Sequence, residues 1–212
     1  MVKNTPTMIV PRAHGGHGDV LQRVLDVARH DDYEGYSKHD ALNARWLEAL
    51  AGGSRLRRLA AIQVVMRSPI HIRPLLRVRK ARNPKGLSLF ARAHLARHRM
   101  SGSPDDARSA RDLLDWLIAN PSGGFDGLAW GYPYPWQDAG FFAPRNLPNR
   151  VVTSFVGQAL LDGYETLDDD RYLEAASGAV RFLLDAHKWI NLSVRLGEFM
   201  PVGVRPLTVP VT

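Results

Sequence analysis

The chain has 212 residues, 45% of them hydrophobic, and a formal net charge of +7 at pH 7. That length and apolar content suffice for a substantial core within one domain, and the absence of cysteine excludes disulfides, cysteine-ligated zinc and thiol nucleophiles. The segment Met1 to Pro11 carries one lysine and no long apolar run, and nowhere do eighteen uncharged apolar residues occur together, so we expect a cytoplasmic protein with neither signal peptide nor transmembrane segment.

In chain order the signals are almost all helical. His14-Gly15-Gly16-His17 lacks a third metal ligand, and no metal or cofactor is expected. From Asp19 to Arg29, Val20, Leu21, Val24, Leu25 and Ala28 fall on one stripe behind Asp19 as cap. Asp40 caps a second helix containing Leu42, Trp46, Leu47 and Leu50, which Gly52-Gly53 ends. Ser54 to Met66 is helical again, and the prolines and arginines from Pro69 to Pro84 interrupt the pattern. Further helices are predicted from Pro84 to about Met100, from Ser103 to about Asn120, from about Arg150 to Glu165 and from about Asp170 to His187. The domain organisation expected is therefore a helical body over residues 1–188 and an irregular tail over 189–212, which is rich in β-branched residues and holds three prolines.

Charge is uneven along this framework. Between Ala49 and Pro104 there is no Asp or Glu, yet thirteen of the twenty-eight basic residues lie in the segment from Arg55 to Arg99. Such a block suits an acidic polymer, because each cationic contact releases counterions. Its plainer alternative is a solvated face balanced by acids from elsewhere in the fold. No zinc-finger spacing or aromatic RNP-like strand accompanies it.

The most unusual stretch lies between the fifth and sixth predicted helices. Seven of the chain's eighteen aromatic residues fall within Phe125 to Phe142, among glycines and prolines that forbid a long helix or strand. Loops on a rigid scaffold commonly carry function, and a pyranose offers C–H faces to rings and hydroxyls to polar groups. Trp130, Tyr132, Tyr134 and Trp136 are the candidate binding rings, with Gln137, Asn149 and Asp40 as polar partners. Asp126 and Asp138 are the nearest carboxyl pair for glycoside cleavage. His39, in the cluster Tyr36, Lys38, His39, Asp40 and Asn43, is the candidate proton-transfer group. The alternatives are rings packed as a satellite core, turn-forming aspartates, and Asp40 as a helix cap.

A displacement of 66 residues aligns Leu87–Leu117 with Thr153–Leu183, helix on helix and turn on turn, with Trp116 opposite Phe182. The repeated unit is thus a helical hairpin that needs neighbours to bury its apolar face. Ala159-Leu160-Leu161-Asp162-Gly163-Tyr164-Glu165 followed by Asp169-Asp170-Arg171-Tyr172-Leu173-Glu174-Ala175-Ala176 resembles the hairpin of the α/α-toroid proteins. With Asn83-Pro84-Lys85-Gly86-Leu87 and Trp130-Gly131-Tyr132 it is similar to the six-hairpin glycosidase-like superfamily, and to uncharacterised members linked with surface polysaccharide biosynthesis. The resemblance implies an all-α fold of antiparallel helical hairpins forming a partial (α/α) toroid, and a glycan-processing function as hydrolase, lyase or epimerase. Seven helices are too few to close such a ring, so a shortened form, inactive or self-associating as a homo-oligomer, is expected.

Two rival readings follow from the same residues. Gly123-Gly124-Phe125 resembles turns of terpenoid cyclases and protein prenyltransferases. In Asp168-Asp169-Asp170-Arg171-Tyr172, however, Tyr172 stands where a diphosphate-binding Asp-Asp-x-x-Asp motif requires its last acid, and helix capping accounts for the aspartates. The other reading is a non-catalytic scaffold that binds a polyanion through Arg55 to Arg99.

Overall fold

The computed structural model describes residues 16–123, 127–137 and 141–195. Two compact units are present, Met1–Tyr33 and Glu34–Thr212. In the first, α1 (His17–His30) carries Asp19 in its opening turn and Arg29 and His30 in its last, which complements the helix dipole. Asp19 therefore lies within the first turn, and Gly16 holds the cap position expected for it. The helix ends where the Tyr33 N–H meets the Ala28 carbonyl at 2.7 Å.

The second unit begins with a small helical layer. A 3-10 turn (Asp40–Asn43), α2 (Arg45–Ala51) and α3 (Arg55–Arg67) surround a core of Ala41, Leu42, Ala51, Ile62 and Val65. The single helix expected from Asp40 is broken at Ala44, whose backbone is extended at φ −81°, ψ 108°. Gly52, at φ +52°, ends α2, and the Ser54 hydroxyl accepts from the Arg57 N–H to start α3. Proline and arginine then hold the following stretch in turns, but it is not loose: Ile72 and Leu76 pack on the same core. The Trp46 indole donates to the Leu76 carbonyl at 2.8 Å. A two-residue antiparallel pair, β1 (Glu34–Gly35) with β2 (Ala81–Arg82), closes this layer.

Two helical hairpins follow, α4 (Pro84–Ser101) with α5 (Pro104–Ala119) and α6 (Arg150–Leu167) with α7 (Asp170–Arg195). The limits of α4, moved by 66 residues, coincide with those of α6. The shared signals are chemical. Asn83 and Asn149 each accept from the first helical N–H groups, and Gly102 and Asp168 each terminate their helix in the left-handed conformation, at φ +71° and +53°. Buried positions repeat in part, pairing Leu87 with Thr153, His94 with Leu160, Asp106 with Tyr172 and Ala110 with Ala176. The hairpins lie side by side, α4 along α6, with α5 also touching α6 and α7. Arg92 spans them to Asp162 at 2.6 Å and to Gln158 at 3.2 Å, Arg99 to Thr166 at 2.8 Å. Gly163 permits the approach, since a Cβ there would lie 2.6 Å from Leu114 Cδ1.

The described fold is thus mostly helical, in agreement with the all-α expectation. At its end α7 continues to Arg195, past residue 188 where an irregular tail was expected; residues 196–212 lie outside the described residues. No helix among the described residues is long and apolar enough to cross a membrane.

Candidate functional site

The aromatic segment connects α5 to α6, and it is built in two halves. The first half is structural. Ser122 N–H bonds to Ala129 O at 2.7 Å and Leu128 N–H to Gly178 O at 3.0 Å, threading the chain against α7. Trp130 is fully buried, and its indole N–H donates to Leu117 O in the last turn of α5 at 2.9 Å. Its backbone N–H meets Thr153 Oγ1 at 3.1 Å, and its carbonyl accepts from Asn149 N–H at 2.9 Å. Trp130 therefore joins the hairpins and offers no face to a ligand. Gly131 follows because a Cβ there would collide with the Leu147 backbone.

The second half bends at Pro133-Tyr134 and is anchored to the small helical layer. Tyr134 is buried, its hydroxyl bonded to Ser37 Oγ, and burial pushes that phenol up to about 12 despite the Ser37 hydrogen bond. Arg145 Nη1 donates to Pro133 O at 2.6 Å and to Asn43 Oδ1 at 2.7 Å, while Asn43 Nδ2 donates to Arg79 O at 2.7 Å. The pair β3 (Trp136–Gln137) and β4 (Phe142–Ala143) then forms a short antiparallel ribbon. Gln137 is buried and donates to Phe141 O at 2.7 Å. Phe142 packs on the α2–α3 core, with the Arg58 guanidinium 3.8 Å above its ring.

These contacts redistribute the expected binding residues. Trp130, Tyr134 and Gln137 are enclosed and hold the loop together. Asn149 caps α6 through Val151 and Val152 N–H. Asp40 is buried, accepting from Ser37 N–H at 2.7 Å and pairing with Arg73 Nε at 2.9 Å, so its carboxylate is already committed. What reaches solvent is a partly exposed run of rings: Tyr132 stacks on Tyr134 at 5.6 Å and lies edge-on to Trp136 at 6.4 Å, and Trp136 meets Phe141 at 5.2 Å. Burial also raises the Tyr132 phenol, which is therefore neutral and a hydrogen-bond donor at pH 7.

Beside this run lies the segment bearing His39. The imidazole is partly exposed and its pKa is lowered, first by burial and then by the Lys38 charge, against an opposing pull from Asp40. It is thus a neutral, base-competent group near pH 7. Asp126 and Asp138 lie outside the described residues. Of the aspartate run, Asp168 terminates α6, Asp169 pairs with Arg171 at 2.7 Å and Asp170 opens α7. Among the described residues no three His, Asp or Glu side chains gather to hold a metal ion.

The basic segment separates into two groups. Arg73, Arg92 and Arg97 are neutralised by Asp40, Asp162 and Asp106. Arg55, Arg57, Arg67, Arg77, Arg79 and Lys80 are exposed on α3 and the stretch after it. Helix α3 contacts β3, so this basic element adjoins the ribbon that carries Trp136. Sequence reading missed Ser37 and Arg145, and it marked Arg58 only as one cation of the basic segment and not as the partner of Phe142. Their partners lie far along the chain, 97 residues away for Ser37 and 102 for the Asn43–Arg145 bond, and no local pattern marks them. No protein-family model, curated protein or solved structure matches the chain.

Proposed function

We propose that the protein is a carbohydrate-binding member of the α/α-toroid type, a partial ring of hairpins, acting on or holding an acidic glycan in polysaccharide metabolism. The observation that carries this reading is the pinned ribbon: Tyr132, Trp136 and Phe141 remain partly exposed and mutually packed while their neighbours are locked into the fold. Rings held in advance cost little entropy on binding, and their faces suit the C–H surface of a pyranose. The adjoining exposed arginines of α3 favour a charged sugar over a neutral one. His39 supplies a neutral base on the neighbouring segment for lyase or epimerase chemistry on such a substrate. This joins the aromatic loop and the basic segment in one ligand class.

Titration of tryptophan fluorescence tests the reading. Uronic-acid oligosaccharides should shift the emission, neutral oligosaccharides of equal length should do so weakly, and Tyr132→Ala with Trp136→Ala should abolish the response. A response that survives the double variant removes the site; equal responses to neutral and acidic sugars remove the role of the arginines.

A further inference from the structure

On α7, Leu173, Ser177, Val180 and Leu184 recur at spacings of four, three and four, the seam pattern of a helix that packs on another helix. Yet Leu173 is 38% exposed, Val180 49% and Leu184 64%, and Leu161 on the neighbouring helix is 41% exposed. The internal repeat says what such a face is for. Moved back by 66 residues, the seam becomes Ala107, Arg111, Leu114 and Ile118 of α5. Three of those positions meet α6: Arg111 donates to Leu167 O at 3.3 Å, Leu114 lies against Gly163, and Ala107 lines a cleft with Thr166 and Leu167. Leu95, the counterpart of Leu161, is fully buried. Leu95 and Leu114 of the first hairpin are thus fully buried, whereas their counterparts in the second, Leu161 and Val180, have no helix packed over them among the described residues.

The charges beside the seam select its occupant. Glu174 and Arg181 are exposed, seven residues apart, and lie on one edge of the stripe. In an antiparallel pair of α7 helices about a two-fold axis near Ser177, Glu174 of one copy faces Arg181 of the other, and the reverse pair forms by symmetry. The stripe is thus complementary to itself in charge as well as in apolar spacing. We infer that this face is a homodimer interface, with α7 of a second copy of this chain seated antiparallel on Leu173, Val180 and Leu184. The inference is independent of the glycan reading, since no residue of the aromatic ribbon enters it.

Sedimentation equilibrium of the full chain over a concentration series tests it. The wild type should be dimeric, and Val180→Glu should be monomeric with unchanged helical circular dichroism. Glu174→Arg alone and Arg181→Glu alone should each weaken the dimer several-fold, because each places like charges in contact, and the double reversal should restore it. Because the chain has no cysteine, Ser177→Cys gives a unique attachment point. A short bismaleimide should couple two copies through it, and should not do so through Arg67→Cys on α3. A wild type that stays monomeric, a double reversal that does not restore association, or equal coupling from both cysteines overturns the proposal.

Discussion

Gly131 shows how a single position governs whether the aromatic segment can be built at all. Its backbone runs against Leu147 in an isolated antiparallel bridge to Pro148, and the atoms that a Cβ would strike are main-chain atoms of Asn146 and Leu147. Main chain cannot rotate aside as a side chain can, so Gly131→Ala should cost about 3 kcal/mol by overpacking. Gly157, inside α6, is the control: a Cβ there would sit 3.4 Å from the Ala179 methyl, and Gly157→Ala should change stability by no more than about 1 kcal/mol, helix propensity offsetting the tight contact. Urea midpoints of the two variants check this, and equal losses would refute it. The sequence marks Gly131 only as a breaker of regular structure. It also presents Trp130, Tyr132, Tyr134 and Trp136 as equivalent, because all have the same parity. The bend at Pro133-Tyr134 and the partners Leu117 and Ser37, distant in sequence, decide which rings turn inward.

The hairpins are the elements most legible in the sequence, because their limits are written locally in Asn83, Asn149, Ser103 and Gly102. What joins the helices within each hairpin is less local. In the first, buried His94 bonds through Nδ1 to Asp106 Oδ1 at 2.8 Å, while Arg97 Nε donates to Asp106 Oδ2 at 3.1 Å. Burial alone would raise the Asp106 carboxyl, but the hydrogen bond from His94 and the charges of Arg97 and His94 outweigh it and hold the pKa below the ordinary 3.8. A depressed folded value means that the carboxylate contributes stability above its unfolded pKa. That contribution is lost as pH falls through the folded value. Asp106→Asn should therefore cost about 2 kcal/mol near neutrality, and the gap between variant and wild type should narrow below pH 4 in urea unfolding followed across pH. A gap that stays constant to the acid limit would show that the carboxylate's charge is not what locks α4 to α5. In the second hairpin the equivalent of Asp106 is Tyr172, whose hydroxyl donates to Asp115 of the first hairpin at 3.0 Å. The same position thus locks helices within one unit and units to each other in the next, a divergence that the alignment of the two halves does not reveal.

At the scale of the whole molecule, composition shows the excess of positive charge but not its disposition. The arginine block reads as thirteen equivalent cations in the sequence. Folding pairs Arg73, Arg92 and Arg97 with acids from before and after the block, and it seats Arg58 on Phe142. Helical class was legible because periodicity and caps are local; the expectation of a ring-like arrangement rested on resemblance alone, because closure depends on contacts between hairpins that periodicity does not encode. The division of the arginines has a measurable consequence for the proposed binding of an acidic glycan. The number of counterions released is set by cations exposed to the polymer, so the slope of log K against log salt counts the exposed set and not the whole block. Replacing Arg67 and Arg77 together by Gln should flatten that slope by roughly two charges while leaving the urea midpoint nearly unchanged, since both side chains are exposed. Arg92→Gln should do the reverse: it leaves Asp162, partly buried between the hairpins, without its 2.6 Å partner, lowering stability by about 1 kcal/mol with no change in slope. If Arg92→Gln flattened the slope as much as the exposed pair, the ion pair would open on binding, and the glycan would have to reach the seam between α4 and α6 instead of the face formed by α3 and the aromatic ribbon.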